Sequence, residues 1–292
     1  QQRKKVGKAV PRLFEKLGEQ LSNGMVTAVD DLERAEVRDA VEHILPNAST
    51  RKKNVSTFAA AVNTWNREYP KRQVPNVFIG LVGSEQVRAD SKERRSFTPV
   101  ELQLYQSSLS QSADPEVGLI GMLMINMGCP NGEAQGLAVN DVKLDDQTPH
   151  ILFRNTRLRI MGKDRLERAV PVVGDLLDIL KLYVQKLPSG AEALFPRWSR
   201  KDSADLSKAL MKHVINKRSD DERLLAPYSA RHTFMDRYRS AGVPSDVGKY
   251  LAGHKDKEAN RVHESYGTRR PPVQLVEHMK AITAVKDWGY FE

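Results

Sequence analysis

The sequence is poor in cysteine, with one among 292 residues, Cys129, which lies in an apolar stretch. A lone thiol excludes a disulfide framework and fits a reducing compartment, so we expect a cytoplasmic protein. The longest apolar run, GLIGMLMINMGC, is about half the length that a membrane-spanning helix needs. We therefore expect a buried helix there, no membrane partner, and no secretory leader.

Negative charge is also scarce. The chain has 46 Lys and Arg against 37 Asp and Glu, a formal net charge of +9 and a pI of about 9.5. Residues 1–96 hold 18 Lys and Arg against 12 Asp and Glu, and so carry two thirds of that excess. This balance favours an anionic partner such as nucleic acid, although an ordinary basic globular protein has it too.

The first hundred residues show apolar positions at helical spacing. Three stripes repeat the pattern: Leu13, Phe14, Leu17 and Leu21; Leu32, Val37, Val41 and Leu45; and Val55, Phe58, Val62 and Trp65. We therefore predict a helical domain over residues 1–85.

The third of these helices begins with a cluster of cations. Ser49 or Thr50 can cap it, and Arg51, Lys52 and Lys53 then occupy its first turn. Cations oppose the helix dipole at this end, and a bound phosphate would remove the conflict. We expect these three residues to bind phosphate, with a solvated surface as the alternative.

The stretch EQVRADSKERRSF is polar and lacks apolar anchors, which predicts an interdomain linker over residues 86–97. A new helix then begins at Thr98, which can act as its N-cap, with Pro99 at the first position and Glu101 completing a capping box. An apolar helix over 116–128 follows.

The remainder of the chain combines one β-rich stretch with further helices. HILFRNTRLRIMGKDRLERAVPVV predicts a small antiparallel sheet with a turn near Gly162–Asp164, and helices follow Gly174, one of them capped by Ser203. The predicted fold class is mainly α. It consists of a helical N-terminal domain and a mostly helical second domain, residues 98–292, with one β-hairpin.

Four segments of the second domain resemble, in order, the phage-integrase family, the tyrosine site-specific recombinases: NGEAQGLAVNDVKLD, IMGKDRLERAVPVV, YSARHTF and LAGH. By this resemblance the N-terminal domain is similar to the family's core-binding domain. The resemblance also implies catalytic roles for Lys163, Arg231 and His254, and for Tyr266 twelve residues after the histidine. Glu133 would orient a histidine or an arginine.

These residue types suit the cleavage of a DNA phosphodiester without a metal or another cofactor. Tyr266 can attack phosphorus and conserve the bond energy in a covalent 3′-phosphotyrosine. Arg231 offers a fork of donors to the phosphate oxygens, His254 can donate or move a proton, and Lys163 can protonate the leaving 5′-oxygen.

Several neighbouring groups have simpler explanations. Tyr238 and Tyr250 fit core or surface positions on helices, and His232, directly after the arginine, fits a structural role. His254 and His263 could suggest a metal site, but Cys, Asp and Glu at ligand spacing are missing around them, so we expect no metal.

The chain departs from the family pattern at two positions. Tyr228 stands where the family has a histidine, and it can still donate a hydrogen bond. Pro130 stands where the family has its first catalytic arginine, and proline has neither charge nor donor. Asn131 could supply one hydrogen bond, and the missing guanidinium could come from Arg154, Arg157 or Arg159.

We expect a site-specific recombinase of the integration or excision type that closes two domains around double-stranded DNA. A DNA-binding architectural protein with slowed or lost cleavage is the alternative, because of Pro130. A type IB topoisomerase-like enzyme is a third possibility. The resemblance implies a homotetramer on DNA and an accessory directionality factor.

The C-terminal segment PPVQLVEHMKAITAV predicts a helix with an apolar stripe of Leu275, Met279 and Ile282. That stripe could pack on its own domain or dock on a neighbouring subunit, and the resemblance favours the second alternative.

Overall fold

The computed structural model describes residues 32–83, 94–162, 165–214, 225–255 and 270–288, together with Glu15 and Glu19. The chain divides into two compact units, Gln1–Lys92 and Glu93–Glu292. The first predicted stripe, which begins at Leu13, lies outside the described residues. No helix in the described ranges is long and apolar enough to cross a membrane.

In the first unit, α1 (Arg34–Ile44) and α2 (Ala48–Glu68) are followed by a short 3-10 turn, Pro70–Arg72. The predicted stripes supply the helical part of its core, because their spacing places them on one face. The buried members are Val37, Val41, Val55, Phe58 and Val62, joined by Val77, Phe78, Leu81 and Val82 from the segment that follows.

Two local predictions for α2 were wrong. Its N-cap is Asn47, whose side chain accepts a hydrogen bond from the backbone N–H of Thr50, so neither Ser49 nor Thr50 caps the helix. Trp65 belongs to the stripe by spacing but is 43% exposed. Its ring lies against Tyr69 and its indole N–H donates to the carbonyl of Arg72, so the stripe ends at Val62.

The second unit is mostly helical. Its described helices, in chain order, are α3 (Pro99–Ser110), α4 (Pro115–Met127), α5 (Asn131–Gln135), α6 (Asp175–Gln185), α7 (Ser203–Met211), α8 (Ser229–Ser240), α9 (Ser245–Ala252) and α10 (Pro272–Ala284). Helix α4 is buried along most of its length, as its apolar sequence predicts. Asp202, rather than Ser203, caps α7. The mainly α fold class is confirmed.

A three-stranded antiparallel sheet lies between α5 and α6 in the sequence. Its strands are β1 (Val142–Lys143), β2 (His150–Phe153) and β3 (Arg168–Pro171), in the order β1-β2-β3. Ile151 pairs with Val170 across the centre, and both are fully buried. Pairing stops at Phe153 and Arg168, and the backbone N–H of Arg165 donates to the carbonyl of Gly162, whereas residues 163 and 164 of the predicted turn lie outside the described residues.

Helix α3 begins as its sequence indicates. Thr98 and Glu101 form a reciprocal capping box after which Pro99 occupies the first helical position. Part of the predicted linker, however, packs into the second unit. Phe97 is fully buried against Tyr105, and Arg95 makes two hydrogen bonds of 2.6 and 2.7 Å to the Glu101 carboxylate.

Helix α10 packs against β3 and α8 of its own unit. Leu275, Met279 and Ile282 are all buried in the core of that unit. The structure therefore shows the first of our two alternatives for this helix. We favoured docking of this stripe on a neighbouring subunit. That prediction was wrong, because the core of the helix's own unit already covers the apolar face.

Candidate active site

Arg231, on the first turn of α8, joins three separate segments of the second unit. The residue is buried, and its Nη1 donates to the carbonyls of Gly128 at the end of α4 and of Ala252 at the end of α9. Its Nη2 donates to Nε2 of His254 in a hydrogen bond of 2.7 Å. Two of the four predicted catalytic side chains therefore lie in direct contact.

His254 follows a chain reversal at the end of α9. Gly253 adopts a left-handed conformation with φ of 71°, and a Cβ at this position would collide with the Arg168 guanidinium, so glycine is required twice over. Because Nε2 of His254 accepts a hydrogen bond, the ring is neutral with its proton on Nδ1. Partial loss of hydration and the charges of Arg231 and its neighbouring arginines lower the pKa of His254 from 6.5 to about 4.

Glu133 on α5 is buried and orients two arginines. Its carboxylate accepts a hydrogen bond of 2.5 Å from Nε of Arg165 and one of 2.8 Å from Nη2 of Arg168. Burial alone would raise the pKa of this carboxyl, but the two guanidiniums outweigh burial and hold the pKa below its ordinary value. Glu133 was predicted to orient a histidine or an arginine, and the side chains that it contacts are those of Arg165 and Arg168.

Sequence reasoning missed these two arginines. Arg168 begins β3, its side chain has no exposed area, and its guanidinium donates to the carbonyls of Leu251 and Leu166 and lies 4.4 Å from the Phe153 ring centroid. Arg165 pairs with His254 in an isolated β-bridge. Their position beside Lys163 was the available signal, but local sequence does not reveal partners some thirty or eighty residues away.

The predicted substitutes for the missing arginine have other partners, including Arg159, whose Nη1 donates to the backbone carbonyl of Glu133 in a hydrogen bond of 2.9 Å. Arg154 and Arg159 both pair with the carboxylate of Asp141, and Arg157 is 82% exposed and pairs with Glu192. The physical reason is that Asp141 is fully buried and requires cationic partners.

Neither Pro130 nor Asn131 compensates for the missing group. Pro130 precedes α5 and has no donor to offer. The amide of Asn131 is committed to α7, where it donates to the carbonyl of Ser203 and to Oγ of Ser207. The suggestion that Asn131 donates at the site was therefore wrong.

Tyr228 lies at the N-cap of α8, near enough to Arg231 to influence its pKa. Its ring meets His232 edge-on, with centroids 5.4 Å apart, and the Arg94 guanidinium lies 5.6 Å from its centroid. His232 is half-buried in this contact, and burial lowers its pKa. The structure thus brings Tyr228 to the site and gives His232 a packing partner.

Tyr266 and Lys163 lie outside the described residues, as does His263. Tyr238 and Tyr250 are both buried in the core of the second unit, as expected for helix-borne tyrosines. Cys129 is fully buried beside the site, and burial followed by the charge of Glu133 raises the pKa of its thiol to about 12. That thiol therefore stays protonated and is a poor nucleophile.

The site carries an excess of positive charge. In the described part of the chain, Arg165 and Arg168 share the carboxylate of Glu133, whereas Arg231 donates to backbone carbonyls and to His254. Burial and the repulsion from Arg165 lower the pKa of Arg231 from 12.5 to about 10. An anion bound here would relieve this repulsion, because opposite charges favour the protonated guanidinium. Among the described residues no cluster of three or more His, Cys, Asp or Glu could hold a metal ion.

The three cations that we predicted to bind phosphate, Arg51, Lys52 and Lys53, differ in how deeply they are buried. Arg51 is buried, forms a 2.8 Å ion pair with Glu42 and donates to the carbonyl of Pro46, so its predicted role as a phosphate contact was wrong. Lys53 is exposed and Lys52 is half-buried. The first turn of α2 contains no acidic residue.

Comparison with known proteins gives a consistent assignment. The phage integrase family profile matches residues 100–263, more than half of the chain. A tyrosine recombinase XerC of Neisseria meningitidis serogroup C / serotype 2a is 24% identical over 265 residues, covering 86% of this chain and 80% of that protein. A XerC from serogroup B of the same species is 26% identical over 145 residues, covering 48% of this chain and 44% of that protein.

Two solved structures share the fold. One is the Tn1549 transposon integrase in complex with a circular intermediate DNA, with a TM-score of 0.62, 18% identity, and coverage of 88% of this chain and 87% of that one. The other is the site-specific recombinase XerH bound to palindromic difH substrate in a post-cleavage complex. It has a TM-score of 0.61, 16% identity, and coverage of 92% of this chain and 77% of that one.

Proposed function

The chain belongs to the phage integrase family of tyrosine recombinases, and from that premise we propose that it cuts and rejoins double-stranded DNA at a specific site. The observation that carries the proposal is the contact between Arg231 and His254 inside a cluster with excess positive charge. Such a cluster suits a scissile phosphate, whose transition state gathers negative charge on its non-bridging oxygens.

The proposed cleavage step balances without a cofactor. The phenolic oxygen of Tyr266 attacks phosphorus as its proton passes to water, and the bond from phosphorus to the 5′-oxygen breaks. Lys163 protonates the leaving 5′-oxygen, which departs as a hydroxyl. The product is a 3′-phosphotyrosyl ester. One phosphodiester replaces another, so the step needs no ATP, and the reverse attack by a 5′-hydroxyl rejoins the strand.

The described residues stabilise this reaction in distinct ways. Arg231 donates to a non-bridging oxygen, and its buried position strengthens that contact because little water competes. His254 is neutral before DNA binds and can donate from its ring to the phosphate. Tyr228 offers a hydroxyl from the start of the same helix as Arg231.

We further propose that Lys52 and Lys53 of the first unit bind the DNA backbone. The relatives XerH and Tn1549 integrase are described with DNA, which supports duplex DNA as the partner of this chain. A homotetramer on DNA, and an accessory factor that sets direction, complete the integration or excision reaction that the family resemblance implies.

A second candidate function is favoured by one residue. Pro130 has no donor at the position of the family's first arginine. A protein of this fold that binds DNA without efficient cleavage would serve as an architectural or regulatory partner. A topoisomerase-like activity would share the covalent step but relax supercoils without exchanging partners.

The test is a trapping experiment on a library of nicked duplexes with randomised cores. A nick near the scissile phosphate releases a short fragment after cleavage, so the covalent complex cannot religate and is recovered from a denaturing gel for sequencing. We expect adducts with the wild-type protein and none with Tyr266→Phe, at nearly equal DNA affinity. Tight, site-selective binding without any adduct would instead support the architectural function.

A further inference from the structure

The site contains two arginines that the sequence did not lead us to assign, Arg165 and Arg168, and they differ in what they can contact. A phosphodiester has two non-bridging oxygens, and Arg231 is the only residue of the predicted set in the described ranges that brings a permanent cation to them. Pro130 leaves the other arginine position of the family without a charge, and Arg154, Arg157 and Arg159 are held elsewhere.

Arg165 and Arg231 donate to the same carbonyl oxygen. Nη2 of Arg165 donates to the carbonyl of Ala252 in a hydrogen bond of 2.7 Å, and Nη1 of Arg231 donates to the same oxygen in one of 2.6 Å. The two guanidiniums therefore lie within about two hydrogen-bond lengths of each other. Cations packed this closely repel, which an anion between or beside them would offset.

The backbone and side chain of Arg165 are both fixed. Its backbone N–H donates to the carbonyl of Gly162, and its backbone pairs with His254 in a β-bridge. Next to that bridge, the backbone N–H of Leu166 donates to the carbonyl of Gly253. Nε of Arg165 donates to the Glu133 carboxylate in a hydrogen bond of 2.5 Å. These contacts orient the guanidinium before any DNA binds, as a phosphate clamp requires.

Arg165 can also reach a ligand, which Arg168 cannot. The Arg165 side chain is 15% exposed, and in the described part of the chain its hydrogen bonds use Nε and Nη2 but leave Nη1 without a partner. The Arg168 side chain has no exposed area, and all three of its nitrogens already donate. Arg168 is thus a positioning residue that helps to hold Glu133.

We propose that Arg165 donates to a non-bridging oxygen of the scissile phosphate and supplies the second guanidinium that Pro130 removes. This proposal rests on the proposed function. It places the second arginine two residues after Lys163 instead of three residues before Glu133, so the charge comes to the phosphate from the β2–β3 connection.

The test compares cleavage of two substrates under single-turnover conditions. One has the natural phosphodiester at the scissile position, and the other has a methylphosphonate, which lacks the negative charge that Arg165 would neutralise. Arg165→Ala should cut the natural rate by about 10³-fold or more, the scale seen when a phosphate-clamping arginine is removed. On the methylphosphonate the same variant should lose less than about tenfold relative to wild type.

Two further variants sharpen the comparison. Arg157→Ala, an exposed arginine of the same connection, should leave both rates unchanged. Pro130→Arg should be neutral or harmful in the wild-type background but should restore cleavage to Arg165→Ala, because only then is the second position empty. If Arg165→Ala unfolds, Arg165→Lys keeps a charge without the fork and should still show the substrate-dependent loss.

The outcomes separate the two proposals. Equal losses on both substrates, or no loss on either, with wild type active, would overturn the role of Arg165 and leave the recombinase proposal intact. Absence of adducts with wild type on its selected site would overturn the proposed function, and the role of Arg165 with it.

Discussion

Replacing Glu133 by glutamine tests whether one buried carboxylate holds the site together. Glutamine keeps the shape and one acceptor but removes the charge that Arg165 and Arg168 share. Breaking a buried ion pair by removing one partner costs about 3–5 kcal/mol, and the retained acceptor places Glu133→Gln near 3 kcal/mol. For a unit of this length, that cost lowers Tm by about 6–12 °C.

The control is Glu192→Gln, which removes the carboxylate of the exposed pair with Arg157. Because solvent screens that pair, its loss should change stability by no more than about 0.5 kcal/mol. Calorimetry or fluorescence-monitored melting measures both variants. Inorganic phosphate should raise the Tm of Glu133→Gln more than that of wild type, because Arg165 and Arg168 would then lack the carboxylate that they share.

The pH dependence provides a second readout of the same interaction. The pKa of Glu133 is lower in the folded protein than its ordinary value of 4.5. A carboxylate of this kind stabilises the fold above the unfolded pKa, and the stabilisation is lost as the pH falls through the folded pKa. The difference between wild type and Glu133→Gln should therefore be full at neutral pH and shrink below pH 4.5. A Tm drop at neutral pH no larger than that of Glu192→Gln would refute the reasoning.

Three other predictions follow from separate features. The His254 ring should titrate near pH 4 in the free protein, and its pKa should rise when DNA neutralises the neighbouring arginines, as NMR of the ring can show. Alanine at Lys52 and Lys53 should lower the slope of log K against log salt by about 0.9 per lost contact, whereas Arg51→Ala should mainly lower the Tm, because Arg51 is buried. Deleting residues 272–292 should unfold the second unit, seen as lost cooperative melting; an intact transition would return α10 to a docking role.

Features set by nearby residues were predictable from the sequence. The capping box of Thr98 and Glu101 is an example, because both partners lie within one helical turn. Helical spacing likewise identified Phe58 and Val62 as core residues. The family resemblance identified Arg231 and His254 as neighbours, although nothing in helix or turn propensity brings them together.

Features set by distant partners were not predictable. Phe97 lies in a polar stretch typical of a linker, yet its amide donates to the hydroxyl of Thr233 and its carbonyl accepts from the indole N–H of Trp288. Arg51 was assigned to phosphate because its first-turn position was visible, whereas its ion pair with Glu42 depends on the packing of α1 against α2.

The same limit explains why the arginine substitute was misplaced. Arg154, Arg157 and Arg159 follow the first predicted strand of the sheet closely in sequence, but a fully buried Asp141 binds two of them. Arg165 reaches the site because its segment pairs with His254, some ninety residues later in the chain. Such a pairing is a tertiary contact, and no local pattern encodes it.

The central claim is that Tyr266 becomes covalently joined to DNA, and the most direct test is to identify the joined residue. Adducts trapped on the selected nicked duplex are digested with protease and nuclease, and the cross-linked peptide is sequenced by mass spectrometry. We predict a nucleotide linked through its 3′-phosphate to Tyr266. A link to another residue, such as Tyr250, or the complete absence of a linked peptide from DNA that the protein binds specifically, would contradict it.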